Sequence, residues 1–110
     1  MNDPDIPLTV DVARIPPDAV VSVVGEIDPH TAGTLTEALD ALTSGDEAPP
    51  ERVVLDLSGV TFVDSSGLRV LLTASERMAE KQITFTLRSP SEAVHRLLEI
   101  TKLLDHLGVE

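Results

Sequence analysis

A chain of 110 residues with 42% hydrophobic residues suits one compact domain with a real core and leaves no room for a second. Its 8 Lys plus Arg against 19 Asp plus Glu give a net charge of −11, which repels nucleic-acid phosphates and anionic membranes and favours a basic or apolar partner. Cysteine is absent, which excludes a disulfide framework, a thiolate metal site and a cysteine nucleophile, and no apolar run approaches a membrane span.

The N-terminal Met1-Asn2-Asp3-Pro4-Asp5 is acidic and carries no secretory signal, so a cytoplasmic protein is expected. Phe62 and Phe85 are the only aromatics, so Val, Leu, Ile and Ala must build the core. Leu8 to Arg14 alternates apolar and polar residues and predicts a half-buried strand. Ile15-Pro16-Pro17-Asp18 breaks it, and the valine-rich Ala19 to Val24 predicts a buried antiparallel neighbour that ends at Gly25. Glu26-Ile27-Asp28-Pro29 then opens a helix, with Asp28 as N-cap and Pro29 in the first helical position. Ala32, Leu35, Ala38, Leu39 and Leu42 form its apolar face. Ser44 to Pro50 is a loop.

Arg52 to Leu57 predicts the third strand, followed by a short apolar run over Val60 to Val63. Ser66 to about Lys81 predicts the second helix, with Leu68, Leu71, Leu72, Ser75, Met78 and Ala79 facing inward. Ile83 to Leu87 has high β-propensity and predicts the fourth strand. Ser89-Pro90-Ser91-Glu92 reads as a capping box with proline first in the helix. Val94, Leu97 and Leu98 give that helix its face, and Ile100, Leu103, Leu104 and Leu107 continue it to the C-terminus. The expected fold is α/β: a four-stranded mixed sheet with three to four helices packed on it, in one domain spanning 1–110 with its core over about 8–107.

The segment that carries chemistry is Val53 to Leu68, where two serines and a glycine stand between an apolar run and an amphipathic helix. In open α/β sheets, ligands and partners meet the domain at strand-to-helix loops. A serine there can cap the helix, act as a nucleophile or receive a phosphate. A phosphoserine in the first turn would face unpaired N–H groups and add about −1.5 to −2 charges in one spot. For an isolated Asp64-Ser65-Ser66-Gly67, capping alone would be explanation enough.

The whole chain, however, resembles the STAS domain, and within it the stand-alone bacterial anti-sigma factor antagonists. Gly25-Glu26-Ile27-Asp28 resembles the family's first signature, and Val53 through Asp64-Ser65-Ser66-Gly67-Leu68 resembles its second. Leu87-Arg88-Ser89-Pro90 resembles the close of its last strand, so the likeness runs from about Leu8 to Leu107. This resemblance implies that Ser66 is the phosphorylated residue, with Ser65 as runner-up, and that Asp64 shapes the loop. It implies a partner that is both an anti-sigma factor and an ATP-dependent serine kinase, and a separate phosphatase that restores the unmodified form. Asp28, Pro29, His30, Asp64, Ser65, Gly67 and Arg69 make up the expected docking patch, with Ser66 exposed beside it. The free protein is expected to be monomeric. Arg69 stands where the family often has a small residue, and Lys102 where it often has glycine.

Other chemistries find less support. A nucleophile elbow would need Gly-x-Ser-x-Gly, and Phe62-Val63-Asp64-Ser65 supplies no matching glycine. His30, His95 and His106 are read as helix residues rather than bases, and their wide spacing gives no metal-binding pair. No Gly-rich phosphate loop is present, so neither cofactor nor metal is expected. The rival with weight is another role on the same fold, as a STAS subunit of a lipid-transport or stress-signalling complex without phospho-switching.

Overall fold

The computed structural model describes residues 8–45, 47–105 and 107–110. The predicted hairpin forms: β1 (Thr9–Ile15) pairs antiparallel with β2 (Asp18–Ile27), and Pro16-Pro17 makes the turn between them. Beyond β2 the chain alternates helix and strand. The order is α1 (Ala32–Ser44), β3 (Arg52–Val63), α2 (Ser65–Glu80), β4 (Thr84–Arg88), α3 (Glu92–Ile100), a single 3-10 turn over Leu103–Asp105, and β5 (Gly108–Val109). The sheet order is β1-β2-β3-β4-β5, with β2 to β5 all parallel, as strand-helix-strand connections require.

The sheet register explains where the core sits. Ala19, Val53 and Phe85 lie side by side, as do Val21, Leu55 and Leu87. These rows join one buried cluster with Leu35, Leu39 and Leu42 of α1, Leu71, Ala74 and Met78 of α2, and Val94 and Leu98 of α3. The helices therefore cover one face, and each fully buried leucine contributes about 1.5 to 3 kcal/mol. The opposite face carries Val20, Val54 and Thr86 in one row and Ser22, Asp56 and Arg88 in the next, and no helix among the described residues packs on it. Among the described residues, no helix is long and apolar enough to cross a membrane.

Several expectations need correction. The sheet has five strands, not four, because the C-terminal segment is not helical throughout. Helix α3 stops at Ile100: Lys102 adopts φ 63, the left-handed conformation that ends helices, and Leu103 to Asp105 make one tight turn before β5. Glu110 secures this end, accepting from Arg52 Nη2 at 2.8 Å and Arg88 Nε at 2.9 Å. The Arg88 hydrogen bond, with Arg52 beside it, holds the Glu110 carboxyl below the usual glutamate range.

The N-cap of α3 is Ser91, not Ser89. Ser91 Oγ accepts from Val94 N at 3.2 Å, whereas Ser89 sits at φ 52, so the predicted Ser89–Glu92 box does not form. Strand β2 runs on through Gly25, whose φ of 123 is open to glycine and strained for other residues. Strand β3 likewise continues through Ser58-Gly59 to Val63. Register shifts near Val24 and Glu26 let Val60 and Val63, three residues apart, both turn inward. The inner face of α2 is Gly67, Leu71, Ala74 and Met78, rotated slightly from the expected one, with Leu68 only partly buried.

Candidate functional site

Strands β2 and β3 are parallel neighbours, so the loops at their carboxyl ends emerge together. Asp64 N donates to Ile27 O at 3.2 Å and ties one loop to the other. Most of the sequence-predicted site residues thus share one rim: Asp28, Pro29 and His30 on the first loop, Asp64 to Gly67 on the second, and Arg69 one turn into α2.

The first loop is built around a turn. Asp28 Oδ1 accepts from His30 N at 2.9 Å and Thr31 N at 3.1 Å, closing residues 28–31 on themselves. Thr31 Oγ1 donates to Glu26 O at 2.7 Å and accepts from Asp28 N at 2.9 Å. Helix α1 consequently begins at Ala32, with Thr31 in the capping position and no side-chain cap bond. Asp28 is not the N-cap and Pro29 is not the first helical residue, because the Asp28 carboxylate is engaged in closing the turn. His30 lies in that turn, its side chain 90% exposed and its Nδ1 4.0 Å from Asp28 Oδ1.

The second loop leads straight into its helix. Asp64 is the N-cap of α2, and its Oδ1 accepts from Ser66 N at 2.9 Å and Gly67 N at 3.1 Å. Its carbonyl takes Leu68 N at 3.0 Å. Helix α2 therefore starts at Ser65, one residue before the sequence estimate. Gly67 lets the helix sit against the strand ends: a Cβ there would lie 2.6 Å from Val63 Cγ1 and 2.8 Å from Ile27 Cγ2.

The serines are arranged differently from the expectation. Ser65 is exposed, while Ser66 is half-buried rather than exposed. Among the described residues, neither hydroxyl makes a hydrogen bond, since the Asp64 carboxylate does the capping. By the same token, two of the first-turn amides expected to be open to a phosphate are already occupied by Asp64. The rim is acidic, with Glu26 exposed and Asp28 and Asp64 half-buried. Arg69 is exposed and, among the described residues, forms no ion pair.

Sequence reasoning missed Thr31, whose hydroxyl organises the first loop, and the surface position of Phe62. Phe62 is 49% exposed and lies beside Glu26 in the sheet register. The clue for Thr31 was its position three residues after Asp28, a common turn spacing. For Phe62 there was none, because the strand's alternation is broken by the register shifts. His95 is exposed on α3, and His106 lies outside the described residues. Among the described residues, no group of three or more His, Cys, Asp or Glu side chains could hold a metal ion. A groove of about 430 Å³ runs between α1 and α2 past Leu39, Asp40, Ala74, Arg77 and Met78, and it includes none of the rim residues. The rim is an outward surface, better matched to a macromolecule than to a small substrate.

Comparison with known proteins agrees with this fold. The model of the STAS domain family matches residues 9–110. Anti-sigma-F factor antagonist RsfB of Mycobacterium tuberculosis is 40% identical over 80 residues, covering 73% of this chain. The match spans 62% of that relative's length. The anti-sigma-B factor antagonist of Listeria monocytogenes is 35% identical over 92 residues, covering 82% of this chain and 76% of the relative. Among solved structures, an anti-sigma factor antagonist from Mycobacterium paratuberculosis superposes with a TM-score of 0.84 at 32% identity, covering 99% of this chain and 89% of the other.

Proposed function

The chain belongs to the STAS domain family, and from that premise we propose that it is an anti-sigma factor antagonist switched at Ser66. Unmodified, it binds an anti-sigma factor that is also a serine kinase, and the sigma factor is released. Phosphorylation of Ser66 ends the binding, and a phosphatase restores it. The exchange takes place in the cytoplasm, between soluble partners, and the free protein is a monomer. The observation that carries this reading is that Asp64 caps α2 by itself, leaving the Ser65 and Ser66 hydroxyls uncommitted on a rim shaped for a partner. The relatives named as antagonists support the role.

The chain supplies the acceptor and the kinase supplies ATP, metal and base. Ser66 Oγ attacks the γ-phosphorus of ATP. The new Oγ–P bond forms as the bond from that phosphorus to the β,γ-bridging oxygen breaks, the hydroxyl proton passes to a base of the kinase, and ADP leaves. The phosphatase adds water and releases inorganic phosphate.

Electrostatics explain why the complex then separates. The phosphate brings about −1.5 to −2 charges. They arrive beside Glu26, Asp28 and Asp64, in an interface where desolvated or like charges cost several kcal/mol. Ser66 is favoured over the more exposed Ser65 by the family resemblance.

The test is a paired capture from lysate of the source cell with ADP present, using wild type and Ser66→Glu as baits. The expected result is a serine kinase held by wild type and lost with Ser66→Glu. A transporter ATPase held equally by both would move the function to a transport complex and leave Ser66 without a switching role.

A further inference from the structure

Resting on the assignment of Ser66 as the acceptor, we infer that Arg69 is the internal counter-ion of the Ser66 phosphate. Modification closes an ion pair across one turn of α2.

The argument begins with helix geometry. Ser66 and Arg69 both lie within α2, three residues apart. Side chains at that spacing are neighbours, with about 5 to 6 Å between their Cβ atoms. Helical side chains also lean toward the N-terminus, which brings the guanidinium back over the first turn rather than away from it. Gly67 and Leu71 mark the inward face of the helix, and Arg69 is exposed on its outward side.

Availability points the same way. Arg14, Arg52, Arg77 and Arg88 are each held in an ion pair, with Glu47, Glu110, Asp40 and Glu110 respectively. Arg69 and Arg96 have no such partner among the described residues, and of the two only Arg69 lies in α2 with Ser66. A phosphate on Ser66 finds few other donors. The Ser66 and Gly67 amides are held by Asp64 at 2.9 and 3.1 Å. Glu26, Asp28 and Asp64 repel it, and the Nδ1 of His30 stands 4.0 Å from Asp28 Oδ1. A guanidinium presents paired N–H donors that match phosphate oxygens, so Arg69 is the group best suited to receive it.

The pair has a consequence for the switch. It folds the phosphate against α2 and offsets one of its charges, so the modified state is stabilised within the chain itself.

The test installs phosphoserine at position 66 during translation, so no kinase is needed. Phosphorus NMR then follows the second ionisation of the phosphate in the otherwise wild-type chain, in Arg69→Gln and in Arg69→Lys. Glu26, Asp28, His30 and Asp64 are the same in all three, so differences report on residue 69. The expected result is a second pKa that rises by about 0.5 unit or more in Arg69→Gln, with Arg69→Lys in between. The Arg69 Nε–H resonance should shift as the dianion forms, and should not move over the same pH range without the phosphate. An unchanged pKa in Arg69→Gln together with a stationary Nε–H signal would overturn the inference. The lysate capture judges the switch and the titration judges the ion pair, so each can fail alone.

Discussion

The two strand-to-helix loops at the rim use the same acid for different ends. In each, an aspartate oxygen accepts two backbone amides, at 2.9 and 3.1 Å. In the first loop Asp28 closes a turn before the helix, and the hydroxyl of Thr31 is consumed in hydrogen bonds to Glu26 and Asp28. In the second, Asp64 caps α2 directly, and the hydroxyls of Ser65 and Ser66 are left without partners among the described residues. A hydroxyl that holds a loop together is costly to modify. One that holds nothing can take a phosphate while the fold stays as it is.

Substitutions can break or sharpen this contrast. Gly67→Ala should have the largest effect, a loss of about 2 kcal/mol, because its Cβ would overlap Val63 and Ile27. The matching change in α1, Gly33→Ala, meets open space and should be neutral or stabilising by up to about 0.5 kcal/mol. Urea denaturation of both variants checks the pair.

Asp64→Ala should cost about 1 kcal/mol through loss of the cap, and Asp64→Asn much less, since asparagine caps as well. Thermal unfolding would show the order. Thr31→Val should also cost about 1 kcal/mol, because Glu26 O and Asp28 N lose their shared partner. Ser66→Ala and Ser65→Ala should each stay within about 0.5 kcal/mol of wild type in the same assay. Equal losses for Thr31→Val and Ser66→Ala would mean that the two hydroxyls are not differently employed.

Much of this was legible in the chain because local and global signals agreed. The leucines at 35, 39 and 42 marked the right face of α1, and Asp-Ser-Ser-Gly marked the entry to α2, whereas the alternation over Leu8 to Arg14 located β1 but not its burial: only Leu8 and Val10 turn inward, and Val12 is 44% exposed. The failures came where one residue type can do two jobs. Asp28-Pro29 has the composition of a helix start, yet the nearby Thr31 draws Asp28 into a turn. Ser89 and Ser91 both stand before a helix, and only backbone conformation, φ 52 at Ser89, separates the cap from the bystander. Gly25 looked like the end of a strand because glycine usually is, while pairing with β3 carried the strand past it. Lys102 gave no glycine signal for the left-handed turn it makes, and the two residues of β5 are too short to carry a pattern. The burial of Ser66 relative to Ser65 depends on how α2 is rotated, which the leucine spacing left off by about one residue.

The most direct test is intact-protein mass spectrometry after incubation with the captured kinase and ATP, comparing wild type, Ser65→Ala and Ser66→Ala. The account predicts one added phosphate on wild type and on Ser65→Ala, and none on Ser66→Ala. A phosphate added to Ser66→Ala as readily as to wild type would contradict it and place the switch elsewhere on the rim.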